Sequence, residues 1–219
     1  MSFDRLAPHY RWMEWVLAGG KLQRCRTAFL EDTRQARRAL MVGEGNGRFL
    51  SALLRANPSV QVTCVDGSVR RLEAARARLQ RAGQGGVQVE FVHADLLSWT
   101  PPRHGFDLIV THFLLDCFGP DQLAAIVPRL GAVTAPDARW LVSDFCEPER
   151  GPARWRARWI LASMYWFFRH VAQLPARRLT PPDPFLQSEG FALQSRRTSE
   201  WGLLRSDLWV RGGRPQIMG

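Results

Sequence analysis

Apolar residues along the chain fall into two alternating patterns. Consecutive apolar runs at 39–42, 60–65, 87–93, 106–111 and 140–145 have the length and branched side chains of strands buried on both faces. Between them the spacing turns helical. Phe49, Leu50, Leu53 and Leu54 share one face of a helix that stops before Asn57-Pro58, Leu72, Ala75 and Leu79 share one over 68–81, and a third helix is expected at 121–130. Gly83-Gln84-Gly85-Gly86 and Pro101-Pro102 read as breaks. Strands alternating with helices predict an α/β fold with a mostly parallel sheet covered on both faces. Two last runs, 191–197 and 203–211, are close enough to pair as an antiparallel C-terminal edge, making seven strands.

The 219 residues suit a single domain, 1–219, with residues 1–37 as an N-terminal helical cap and 150–185 as a helical insertion or lid. Within that insertion a helix over 153–174 puts Ile160, Met164, Phe167, Val171 and Leu174 on one face and Trp155, Trp159, Ala162 and Trp166 on nearly the opposite one. The apolar run 159–168 is about half of the ~20 residues a membrane-spanning helix needs, so no span is expected, and peripheral membrane contact stays open. Met1-Ser2-Phe3-Asp4 lacks the basic, apolar lead of a secretory signal, so the expected location is cytoplasmic. Cys25, Cys64, Cys117 and Cys146 have no paired metal-ligand spacing and read as reduced core thiols, with no metal site. A net charge of +10 invites an acidic partner, but all the basic residues except Lys21 are arginines scattered over several helices. That scatter disfavours nucleic acid.

The segment that carries chemistry is Leu40-Met41-Val42-Gly43-Glu44-Gly45-Asn46-Gly47-Arg48-Phe49, a strand entering alternate glycines and then a helix. Glycines allow a tight turn and let a ligand approach the backbone, and the free N–H groups of the helix start face it. A nucleotide-like ligand is expected at the carboxyl end of this strand. Asp66, about 20 residues on at the end of the next strand, is placed to accept hydrogen bonds from a ribose diol, followed by Gly67 and Ser68. Asp95 in Ala94-Asp95-Leu96, after the third strand, is placed to read an adenine edge, and equally suits a turn.

Together with Phe106-Asp107-Leu108-Ile109-Val110, this order resembles the class I S-adenosylmethionine-dependent methyltransferases over roughly 40–145, and the late helix, Ser188-Glu189-Gly190-Phe191 and the terminal strand pair extend it. The lead-in Phe3-Asp4-Arg5-Leu6-Ala7-Pro8-His9-Tyr10 resembles the small-molecule members of ubiquinone and menaquinone biosynthesis. The resemblance implies a Rossmann-like fold, S-adenosylmethionine as cofactor, and transfer of its methyl group to a small acceptor, apolar or aromatic in character. Its cofactor site would comprise Tyr10 as a cover, Gly43, Glu44, Gly45, Gly47, Asp66, Gly67, Ser68, Asp95, Leu96, Thr111 and His112.

Two departures stand out. Met41 occupies the position, two before the first glycine, where many members carry an acid, which leaves Glu44 to compensate; and Thr111-His112-Phe113-Leu114-Leu115-Asp116 lacks the Asn/Asp-Pro-Pro-aromatic motif of many enzymes that methylate nucleic-acid amines. Methyl transfer is accelerated largely by alignment in a dry pocket, so a base is optional. His112 and Asp116 are the candidates for one, with strand-end and helix-start roles as the alternatives. Trp15, Trp159 and Trp166 are candidates for an acceptor pocket beneath a lid, or else pack between helices. Two other readings share the glycine loop and the ribose aspartate: a nicotinamide-dependent oxidoreductase, and a cofactor-binding protein without turnover. The sequence fixes no oligomeric state.

Overall fold

The computed structural model describes residues 20–84, 89–102, 105–148, 154–155, 157–159 and 179–212. Helix α1 (Gly20–Arg26) and a 3₁₀ turn (Glu31–Thr33) precede β1 (Arg38–Val42), α2 (Arg48–Ala56), β2 (Gln61–Asp66), α3 (Val69–Arg81), β3 (Val89–His93) and β4 (Phe106–His112). A second 3₁₀ turn (Leu115–Cys117) leads to α4 (Pro120–Gly131), β5 (Thr134–Phe145), α5 (Asp183–Ser188), β6 (Phe191–Ser199) and β7 (Leu204–Arg211). The seven strands form one sheet in the order β3-β2-β1-β4-β5-β7-β6. β1 to β5 are parallel, and β7 inserts antiparallel between β5 and β6. The expected α/β fold with an antiparallel C-terminal edge is therefore present.

Strand alternation divides the core into two layers. Leu40, Val42, Ile109, Trp140, Val142 and Trp209 face α4 through Leu123, Ile126, Val127 and Leu130, with Leu186 of α5. Met41, Cys64, Leu108, Val110, Leu141 and Leu208 face α2 and α3 through Phe49, Leu50, Leu53, Leu72 and Leu79, and Phe29 joins them from the N-terminal segment. On α3 the Leu72, Ala75 and Leu79 face is buried, and Ser68 caps its first turn by accepting a hydrogen bond from Arg71 N at 3.4 Å.

β5 begins six residues before the expected 140. Its first part pairs Phe106 with Thr134 and then shifts register to pair Leu108 with Arg139, so Pro136 and Asp137 sit at an irregularity that hides the strand from an apolar-run reading. Of the expected cap, α1 is described: Cys25 O accepts from Ser206 Oγ at 2.6 Å and Ser143 Oγ at 3.4 Å, tying α1 across β5 and β7. The edge is further locked by Asp207, fully buried, which takes a two-point contact from Arg196 at 2.7 and 2.8 Å, while Asp183 at the start of α5 receives Arg196 at 2.6 Å and Arg205 at 3.0 Å. Most of the helix expected over 153–174 lies outside the described residues. No helix among those described is long and apolar enough to cross a membrane.

Candidate functional site

In this strand order β1 lies between β2 and β4, so consecutive crossovers leave in opposite directions and a crevice opens at the carboxyl ends of β1 and β4. The loop after β1 fills its floor. Gly43, Gly45 and Gly47 all have positive φ, 70°, 72° and 74°. A Cβ at Gly43 would lie 2.8 Å from Leu114 Cδ1, and one at Gly47 would lie 2.9 Å from Ala75 Cα, so these two glycines permit close packing on β4 and α3. A Cβ at Gly45 would meet nothing within 4 Å. That middle glycine borders open space, where a ligand can lie against the backbone.

Next to this loop a pocket is lined by Gly43, Asp66, Gly67, Asp95 and Leu96 of the expected cofactor residues, together with Val42, Val65, Arg71, Ala94, Leu114 and Phe118. Asp66 Oδ1 accepts from Ser68 N at 2.9 Å and Oδ2 from Gly45 N at 3.3 Å, with Arg71 Nη1 3.9 Å from Oδ2. Burial raises the Asp66 pKa, and Arg71 and the two amides oppose the rise. Asp95 is both a pocket residue and a turn residue, since its Oδ1 accepts from Leu97 N at 3.0 Å.

Glu44 is buried and does two things. Its Oε1 accepts from Phe49 N at 2.7 Å and Leu50 N at 3.0 Å, capping α2, whose preceding residue Gly47 has no side chain to do so. Its Oε2 is buried with no hydrogen-bond partner among the described residues. Burial pushes the Glu44 carboxyl up to about 7 against the pull of the α2 amides and of Arg26. Arg26, at the end of α1, places its guanidinium 5.1 Å from the centre of the Phe113 ring and keeps a buried Nη1 likewise without a partner among the described residues.

The end of β4 is constrained. Phe113 has φ 53°, rare for a bulky side chain, and its N–H donates to Ser143 O at 2.5 Å. Thr111 is buried, its Oγ1 accepting from Trp140 Nε1 at 2.9 Å. His112 is fully buried edge-on to Phe49, centroids 4.6 Å apart, with neither ring nitrogen hydrogen-bonded among the described residues. Burial, and then the nearby Arg26 charge, lower its pKa well below the ordinary histidine value, leaving a neutral imidazole. Asp116 is buried near Asp144, the residue at the end of β5 whose Oδ1 accepts from Leu114 N at 3.2 Å. Burial pushes Asp116 up to about 6; burial and the Asp116 charge together hold Asp144 well above the carboxylate range despite Arg205.

Of the expected acceptor-pocket residues, Trp159 is described. It is 75% exposed and is not among the residues that line this pocket; Trp155 is exposed as well, while Ala157 between them is buried. Tyr10, Trp15 and Trp166 lie outside the described residues. None of the four cysteines forms a disulfide, and Cys25 and Cys64 are buried as expected, Cys117 and Cys146 only partly so. No metal-binding cluster occurs among the described residues. The sequence reading passed over Arg26, Arg71 and Asp144. Asp144 carried the same signal that singled out Asp66, an acid at the end of an apolar strand; Arg26 carried none, being one of many arginines on helices.

A family model described as a methyltransferase domain matches residues 39–137. Trans-aconitate 2-methyltransferase of Paracidovorax citrulli is 34% identical over 96 residues, which are 43% of this chain and 34% of that protein. Demethylmenaquinone methyltransferase of Thermus thermophilus is 28% identical over 151 residues, 68% of this chain and 66% of that protein. Among solved structures, the mitomycin 7-O-methyltransferase MmcR superposes with a TM-score of 0.70 at 22% identity, covering 97% of this chain and 61% of that one, a likeness of fold. The chain thus matches between about a third and two thirds of the length of these curated relatives.

Proposed function

We propose that the chain, whose residues 39–137 match a methyltransferase domain, is a class I S-adenosylmethionine-dependent enzyme that transfers a methyl group to a small, apolar or aromatic acceptor. The observation that carries the reading is the pocket at the carboxyl ends of β1 and β2, lined by Gly43, Asp66, Asp95 and Leu96, with the unobstructed Gly45 held beside it by Asp66. S-adenosylmethionine bound there supplies an electrophilic methyl group on a sulfonium, lost by in-line displacement.

The residues divide the work by chemistry. Asp66 offers carboxylate lone pairs to the ribose hydroxyls, and Asp95 with Leu96 reads the adenine edge. The two orphaned buried groups fit the amino-acid end. Glu44 Oε2 suits an ammonium and Arg26 Nη1 a carboxylate, each then satisfied by a charge of opposite sign. Leu114 and Phe118 keep water from the adenosine side. Asp116, with its pKa pushed to about 6 beside Asp144, is poised to accept the proton that a hydroxyl acceptor must lose. His112, neutral and buried, fills a packing role at the end of β4. The acceptor class is supported by the demethylmenaquinone enzyme among the relatives.

The strand order also separates this reading from a nicotinamide-dependent oxidoreductase, since dinucleotide folds commonly run 3-2-1-4-5-6 with β6 parallel, whereas here an antiparallel β7 sits beside β5. Calorimetric titration tests it. S-adenosylmethionine and S-adenosylhomocysteine should bind and NAD should not, and Asp66→Ala should weaken S-adenosylmethionine by about 1.5–3 kcal/mol. Binding of NAD alone, or an unchanged affinity in the folded Asp66→Ala variant, refutes the assignment.

A further inference from the structure

Four large apolar side chains stand exposed among the described residues, Val69 and three tryptophans: Trp155 at 67%, Trp159 at 75% and Trp201 at 78%. Trp155 and Trp159 are four apart in helical backbone and share a face. Arginines flank them. Arg158 lies 5.7 Å from the centre of the Trp155 ring, and Glu147 receives Arg154 at 2.8 Å and Arg158 at 4.0 Å.

Trp201 belongs to the turn between β6 and β7, where it and Glu200 adopt φ of 63° and 54°. The turn is held in place. Cys146 just beyond β5 donates through its N–H to Leu203 O and through Sγ to Gly202 O, both at 2.9 Å, Lys21 pairs with Glu200, and Pro148 Cγ would lie 3.0 Å from any Cβ at Gly202. Pro148 adjoins Glu147, the partner of Arg154. The turn of Trp201 and the arginines beside Trp155 and Trp159 are thus both tied to segment 146–148 just past the carboxyl end of β5, the end of the sheet at which the cofactor pocket opens.

We infer that this tryptophan rim docks the protein on the surface of an anionic lipid bilayer. An indole is apolar with one polar N–H, the composition favoured at headgroup level. Three of them exposed by two thirds or more are a standing cost in water that a bilayer interface removes. Arg154 and Arg158, two cations to the one Glu147 carboxylate, and the net charge of +10 supply the attraction to anionic headgroups. Docking in this orientation turns the pocket toward the membrane, so an apolar acceptor reaches the site from the bilayer.

Vesicle flotation of the full chain tests the inference. Wild type should float with vesicles of phosphatidylglycerol and phosphatidylcholine in equal parts, release in high salt, and stay behind with phosphatidylcholine alone. The variant Trp155→Gln, Trp159→Gln, Trp201→Asn should lose about tenfold in vesicle affinity per indole, with its melting temperature and S-adenosylmethionine affinity unchanged. Asparagine is chosen at 201 because it tolerates positive φ. Wild type that fails to float on the anionic vesicles overturns the inference, as does a triple variant that floats like wild type or a wild-type dimer that the triple variant dissolves. Because vesicle binding needs neither cofactor nor turnover, its failure is distinct from a failure of the proposed methyl transfer.

Discussion

Replacing Glu44 by glutamine separates the two tasks the structure gives this side chain. Glutamine keeps an oxygen for the Phe49 and Leu50 amides at the start of α2 and removes the titrating charge. In the folded protein the Glu44 carboxyl is raised from 4.5 to about 7 by burial. A raised pKa means that the folded state holds the proton more tightly than the unfolded chain. The stability this contributes is full below about pH 4.5 and is lost as pH rises through about 7. At 1.36 kcal/mol per pKa unit the loss amounts to about 3 kcal/mol. The cofactor-free variant should therefore match wild type within about 1 kcal/mol near pH 5, and exceed it by up to about 3 kcal/mol near pH 8. Urea unfolding at both pH values measures this. Taking the difference between variant and wild type cancels Asp116 and Asp144, which are raised by burial and slope the same way. Calorimetry measures the second task. Without a carboxylate for the ammonium, S-adenosylmethionine affinity at pH 8 should fall by roughly 1.5–3 kcal/mol, about 10- to 150-fold. A stability difference that does not change with pH refutes the buried-charge argument, and an unchanged affinity refutes the placing of the ammonium.

Two further substitutions probe the frame. Gly45→Ala and Gly47→Ala both force a side chain into positive φ at about 1–2 kcal/mol, but only at Gly47 does the new Cβ meet backbone, Ala75 Cα at 2.9 Å. Gly47→Ala should be the less stable of the two by about 1–3 kcal/mol, while Gly45→Ala should chiefly weaken the cofactor; equal melting temperatures contradict the close approach of α2's entry loop to α3. Asp207→Ala leaves Arg196 and Arg205 without their buried carboxylate and should cost about 3–5 kcal/mol in denaturant unfolding, and a loss under 1 kcal/mol shows that Asp183 suffices.

The sequence by itself determined the strand-and-helix alternation, the glycine loop, and the acids that close β2 and follow β3. These are local matters. A buried strand must be a run of apolar residues, and a backbone turn at positive φ with a ligand against it must be glycine, so each leaves its mark within a few residues of chain. Only the tertiary structure decided the role of Glu44, because the amides that it caps and the partner that Oε2 lacks depend on how the loop folds over α2. The same holds for Arg26, brought to Phe113 across 87 positions of chain by the packing of α1 on β5 and β7. It holds too for Asp116 and Asp144, whose carboxyls are both raised because the turn after β4 and the end of β5 bury them near one another. Trp159 shows the limit from the other side. Helical spacing grouped it with the other tryptophans, but which face of a helix meets the core is set by what packs against it, and here Ala157 turns inward and the indoles outward.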